Sequence, residues 1–115
     1  MNKKESAMHG LWTAEFGSSL GMFGGGVVIF DEGTILGGDG THFYVGEYVI
    51  EGESLTATLK VAPFIPGAES VFRSVGKGLT LDLEGSLLKG DQAIAQGRAR
   101  EIPGLTFGVK LTKRG

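Results

Sequence analysis

Apolar and polar residues alternate along most of this chain, and the alternation recurs in short runs separated by glycine-rich breaks. Leu55, Ala57, Leu59 and Val61 share one face of an extended segment, with Thr56, Thr58 and Lys60 on the other. Leu79, Leu81 and Leu83 alternate with Thr80, Asp82 and Glu84, and Leu105, Phe107, Val109 and Leu111 with Thr106, Gly108, Lys110 and Thr112. A period of two places successive side chains on opposite faces, which is the mark of a half-buried strand. The same reading gives a first strand in which Trp12, Ala14 and Phe16 oppose Leu11, Thr13 and Glu15. Further strands are predicted at Val27–Phe30, which is apolar on both faces, at Ile35–Leu36, at Phe43–Ile50 and at Gln92–Arg100. About eight strands at roughly 8–12-residue spacing predict an all-β sandwich or barrel. Sustained helical periodicity is lacking; at most one or two helical turns are expected within Ala68–Val75.

The breaks divide into two kinds. With strands running up and down in order, the turns at one end are Asp31-Glu32-Gly33, Glu51-Gly52-Glu53 and Lys89-Gly90-Asp91, all tight and mostly acidic. Those at the other end are Gly17 to Gly25, Gly38 to His42, Pro63 to Gly78 and Ile102-Pro103-Gly104, most of them longer. They carry Met22, Phe23, Phe64, Ile65 and Phe72, so this end is expected to be open, with Phe23, Phe64 and Phe72 on an apolar rim. Ile-Pro-Gly occurs at both 65–67 and 102–104, which turn chemistry explains.

Composition narrows the class. A chain of 115 residues is one domain, expected as a polar N-terminal arm over 1–8 and a barrel over 9–115. The 21 glycines exceed the average share of about 7% and imply many turns and close backbone approaches. A net charge of −2 argues against nucleic-acid binding, which uses a basic stripe; Lys110, Lys113 and Arg114 read as a solvated strand end. The chain has no cysteine, and thus no disulfide or thiolate site. It has no apolar leader after Lys3-Lys4 and no run of about 18 apolar residues for a membrane span. A cytoplasmic protein is expected.

Candidate chemistry is sparse. Asp39, His42 and Ser18 or Ser19 contain the residue types of a hydrolytic triad, but the serines lack a nucleophile elbow. Asp39 reads as a turn residue bonding its own backbone. His9 and His42 lie in no closely spaced ligand pair, so no metal site or cofactor is expected. Gly24-Gly25-Gly26 precedes a strand instead of a helix, which removes a phosphate loop and leaves a bend or bulge in the wall. The aromatic set Trp12, Phe16, Phe43, Tyr44, Tyr48 and Phe107 either packs the interior or lines a cavity for one small apolar ligand or lipid. An isomerase or cyclase in such a pocket would need a buried titratable pair, which the sequence does not reveal. Glu51 and Glu53 flank Gly52 in an acidic turn suited to solubility or to steering a basic partner.

The chain resembles the family of type III secretion negative regulators, the GrlR-like proteins, from about His9 to Leu111. The resemblance rests on Gly10-Leu11-Trp12 through Phe16, on Gly24 to Phe30, and above all on Gly37-Gly38-Asp39 with Tyr44-Val45-Gly46-Glu47-Tyr48. Ser70-Val71-Phe72 and Leu79 to Gly85 add to it. It implies a lipocalin-like (calycin) up-and-down barrel, a homodimer, and a non-enzymatic negative regulator that sequesters a transcriptional activator, with a lipid-like ligand proposed inside the barrel. The regulator's acidic turn, Glu-Asp-Glu-Asp, matches Glu51-Gly52-Glu53-Ser54 here, which keeps two of the four acids.

Overall fold

The computed structural model describes residues 7–67 and 78–115. It is a closed barrel of eight antiparallel strands, each hydrogen-bonded to its neighbours in chain order, with β8 returning to β1. The strands are β1 (Gly10–Ser18), β2 (Phe23–Asp31), β3 (Thr34–Gly38), β4 (His42–Glu51), β5 (Ser54–Pro63), β6 (Leu79–Leu88), β7 (Gln92–Ala99) and β8 (Thr106–Lys113). The all-β architecture expected from the alternation is therefore present, and of the sandwich and the barrel that it left open the up-and-down barrel is the one formed. Gly37 and Gly38 belong to β3, paired with Tyr44 and Phe43, so the reversal itself is only Asp39–Thr41. The helical turns expected within 68–75, and Phe72 with them, lie outside the described residues.

The even connections are hairpins as tight as their sequences require. Asp31 pairs with Thr34 across Glu32-Gly33, whose φ values of 46° and 86° are both positive. That is the primed turn whose twist matches the flanking strands, and Gly33 adopts it without steric cost. At the other end, Ile102-Pro103-Gly104 is closed by the Leu105 amide donating to the Ile102 carbonyl at 3.3 Å, consistent with turn chemistry for that tripeptide.

Inward residues follow the period of two. In β2, where the sequence is apolar on both faces, Val28 and Phe30 point in while Val27 and Ile29 face out. The tightly turned end is solid. Trp12 meets Phe30 edge-to-face at 6.1 Å, and Phe30 meets Tyr48 in the same manner at 5.1 Å, an arrangement that aromatic quadrupoles favour. Beneath them Met8 is fully buried, and its carbonyl accepts the Trp12 indole N–H at 2.8 Å. The expectation of a loose arm over 1–8 thus fails at Met8, which is part of the barrel floor. The physical reason is the indole, whose buried N–H needs an acceptor and finds it in the Met8 carbonyl.

Candidate functional site

Above the aromatic floor the interior is not filled. A cavity of about 370 Å³ runs from Phe30 to the open end. Its lining is mainly aliphatic: Leu55, Ala57, Leu59 and Val61 from β5, Leu79, Leu81 and Leu83 from β6, and Val109 and Leu111 from β8. These are the inward positions of the alternating runs. Small side chains make the room, since β7 offers only Ala93, Ala95, Gly97 and Ala99 to the inside.

The mouth is shaped by the shortness of β3. The pairing of β2 with β3 begins at Val27–Gly38, whereas its pairing with β1 extends to Phe23. Phe23 to Gly26 therefore have a partner strand on one side only. The register of β1 with β2 runs through Gly24–Gly26 without a slip, so of the bend or bulge expected there the bulge is not formed. Instead Phe23, Gly24 and Gly25 face Asp39, Gly40 and Thr41 across the opening.

At this opening sits a polar cluster built on one aspartate. The Thr41 and His42 amides each donate to Asp39 Oδ1 at 2.8 Å, the local bonding expected of a turn aspartate. The other oxygen, Oδ2, accepts the Tyr44 hydroxyl, a contact between inward and turn positions that spacing alone does not suggest. Thr41 Oγ1 lies 3.2 Å from Asp39 Oδ1 and 2.7 Å from His42 Nδ1. His42 is 4% exposed, and its Nε2 is buried with no hydrogen-bond partner among the described residues.

The electrostatics lock these groups. Burial pushes the Asp39 carboxyl up, but the donors Tyr44, Thr41 and His42 outweigh it and hold the group below its ordinary value. Burial, and then the bond and charge of Asp39, raise the Tyr44 phenol well above its ordinary value. An acid and a base displaced away from neutrality in opposite directions are poorly matched to proton transfer at neutral pH. The serines that complete the triad's residue types are engaged elsewhere: Ser18 Oγ accepts the Leu20 amide and Ser19 Oγ the Thr106 amide. His9 pairs with Asp31 at 3.2 Å at the far end. Among the described residues, no group of three or more His, Cys, Asp or Glu side chains is placed to hold a metal ion.

Of the aromatic candidates, Phe16, Tyr44 and Phe107 line the cavity. Trp12 and Tyr48 point inward but belong to the solid half beneath it. Phe43 does not belong to the interior: it lies on the outer wall, 44% exposed. Adjacent residues of a strand face opposite ways, so Phe43 and Tyr44 cannot both point in. Of the rim candidates, Phe23 stands at the mouth and is 83% exposed, whereas Phe64 is exposed at the same end but outside the cavity lining. Glu51 and Glu53 are exposed on the β4–β5 hairpin, at the opposite end from the mouth. His42 was recognisable as an inward polar residue from its two-residue spacing to Tyr44. The aliphatic lining was visible as strand faces, with no signal to separate a cavity from a packed core.

No model of a known protein family matches this chain, and no curated protein matches it in sequence. Its architecture does match solved structures. One, described as a redesigned beta barrel, aligns over 100% of this chain and 98% of its own with a TM-score of 0.55. The chain is a β-barrel. At 11% identity the likeness shows the fold alone. No helix among the described residues is long and apolar enough to cross a membrane.

Proposed function

We propose that this barrel is a non-enzymatic protein that holds one small, largely apolar molecule in its open half. The observation that carries the reading is the cavity of about 370 Å³, lined by aliphatic side chains with a few polar groups gathered at one edge. Binding sites for small molecules have this character: concave, mostly apolar, of roughly 300–1,000 Å³, with few polar groups. An eight-stranded barrel is wide enough to hold one such ligand. Native mass spectrometry of freshly purified protein, followed by titration with short-chain apolar compounds, tests it. Bound mass or saturable binding is expected, and Ala57→Phe, which fills the cavity, should abolish it. A barrel that takes up none of these compounds ends the reading.

A second reading, a negative regulator that captures a protein partner such as a transcriptional activator, is supported by the resemblance to secretion regulators. It is also supported by the position of Glu51 and Glu53 on an exposed hairpin. Asp31, Glu32 and Asp91 lie in the other turns of that end, and such a surface steers a basic partner. Exchanging both glutamates for lysine should abolish capture of a cognate activator; unchanged capture would remove the acidic turn from the argument. The same resemblance supports a lipocalin-like homodimer. The route for pairing is not a whole free strand, because in the closed barrel every strand is paired with two neighbours, leaving short unpaired stretches such as Phe23–Gly26. It is the outer wall of β1–β4, where Leu11, Ile29, Leu36 and Val45 stand side by side in register.

A further inference from the structure

His42 is the point at which the cavity asks for a specific chemistry. His42 is among the residues that line the cavity, and its Nε2 is a buried polar atom that nothing among the described residues satisfies. Buried polar atoms without partners are uncommon, and each one calls for an explanation such as an absent ligand.

The hydrogen-bond network assigns the proton of the ring. The Thr41 hydroxyl has one hydrogen and two acceptors in reach, Asp39 Oδ1 and His42 Nδ1. An ionised carboxylate is the stronger acceptor, so the hydroxyl donates to Asp39 and accepts from His42 Nδ1–H. A neutral imidazole protonated at Nδ1 presents a bare lone pair at Nε2. A group that complements this atom is therefore a hydrogen-bond donor. It is not an anion, because the Asp39 carboxylate already stands 3.9 Å from Nδ1. A second negative charge in an apolar cavity beside it would be costly.

Size completes the description. At about 30 Å³ per non-hydrogen atom, the liquid share of one water, the cavity of about 370 Å³ takes roughly a dozen such atoms. His42 opens β4 at the mouth, and Phe30 closes the floor. Resting on the cavity reading above, we propose that the ligand is an uncharged aliphatic alcohol of roughly a dozen non-hydrogen atoms or fewer. Its terminal hydroxyl donates to His42 Nε2, and its chain points down between Leu59, Leu81 and Val109 towards Phe30.

The experiment is calorimetric titration of the full chain with three probes of closely similar size: 1-octanol, its isomer 1-methoxyheptane, and octanoate. The ether keeps the oxygen at the same end and loses only the donor. A buried hydrogen bond of ordinary strength predicts that the alcohol binds about tenfold more tightly than the ether, and that octanoate binds more weakly than the alcohol at neutral pH. In His42→Leu the preference for alcohol over ether disappears, while affinity for the ether stays within about threefold. Should that variant fail to fold, His42→Gln, whose amide oxygen accepts a hydrogen bond, should retain part of the preference. Equal affinities for alcohol and ether in the natural protein, or octanoate matching the alcohol, would overturn the His42 anchor while leaving the cavity reading standing. Binding of none of the three would overturn both.

Discussion

Asp39 accepts from two backbone amides and from the phenol of Tyr44, and so joins the β3–β4 turn to the inner wall of β4. Its carboxyl is held below the ordinary value of 3.8. A group whose folded pKa is depressed contributes stability above its unfolded pKa and loses it as pH falls through the folded value. Stability from Asp39 is therefore fully present at neutral pH and fades below about pH 4. Asp39→Ala should cost about 1–3 kcal/mol at pH 7, and the difference from the natural protein should shrink as denaturant melts are taken to lower pH. An undiminished difference at low pH would assign the loss to the turn geometry instead of the charge. The turn role of Asp39 was legible in the sequence, because aspartate two and three residues before its donors is local chemistry. Its bond to Tyr44 was not, since that depends on how the strand carries Tyr44 back beneath the turn. That Phe43 and Tyr44 face opposite ways follows from the period of two; which of them points inward does not.

At the scale of the strands, all eight were legible: most by alternation, and Val27–Phe30 and Ile35–Leu36 by short continuous apolar runs between turn residues. What the pattern left out was how sharply the strands bend. Gly46 pairs with Ile35 on one side and Leu59 on the other. A Cβ there would stand 2.2 Å from the Thr58 carbonyl oxygen and 2.9 Å from the Leu59 Cα. No side-chain rotation relieves a clash with backbone, so the two strands would have to part. Gly46→Ala should destabilise the barrel by about 1–3 kcal/mol. Gly108→Ala is the control: nothing lies within 4 Å of its Cβ position, and the change should stay within about 0.5 kcal/mol. Equal effects in urea unfolding would mean that close approach does not set the bend. Each glycine sits in the middle of an alternating run, Gly46 on the inward face and Gly108 on the outward one; how closely the neighbouring strand approaches each is not legible from that pattern.

Across the whole molecule, the outer wall divides into two halves of different character. From β1 to β4 it carries Leu11, Val27, Ile29, Leu36, Phe43, Val45 and Val49, all substantially exposed. From β5 to β8 it carries mostly threonine, glutamine and charged residues, among them the Arg100–Asp82 pair at 2.7 and 2.8 Å. Contiguous apolar surface of this kind marks an interaction site more often than isolated exposed residues do. With a second copy as its occupant, light scattering should give twice the mass of one chain, and Val45→Lys should return it to that of one chain. A natural protein with the mass of one chain at high concentration would leave this wall to another purpose. The both-faced apolar run Val27–Phe30 was the sequence's sign of this wall, since alternate residues of a strand must stand on its outside.

The stack of Met8, Trp12, Phe30 and Tyr48 makes the barrel a cup and not a tube. A guest of the proposed kind, entering past Phe23 above a closed floor, would leave by the same end, so exchange would be sequential: one guest departs before the next is admitted. Residence time is then set by the few residues around that opening, and a second protein seated over it would imprison the contents without touching them. A protein seated on the acidic turns at the other end would meet solid aromatic packing, and would sense an occupied cup only through the stiffness of its walls.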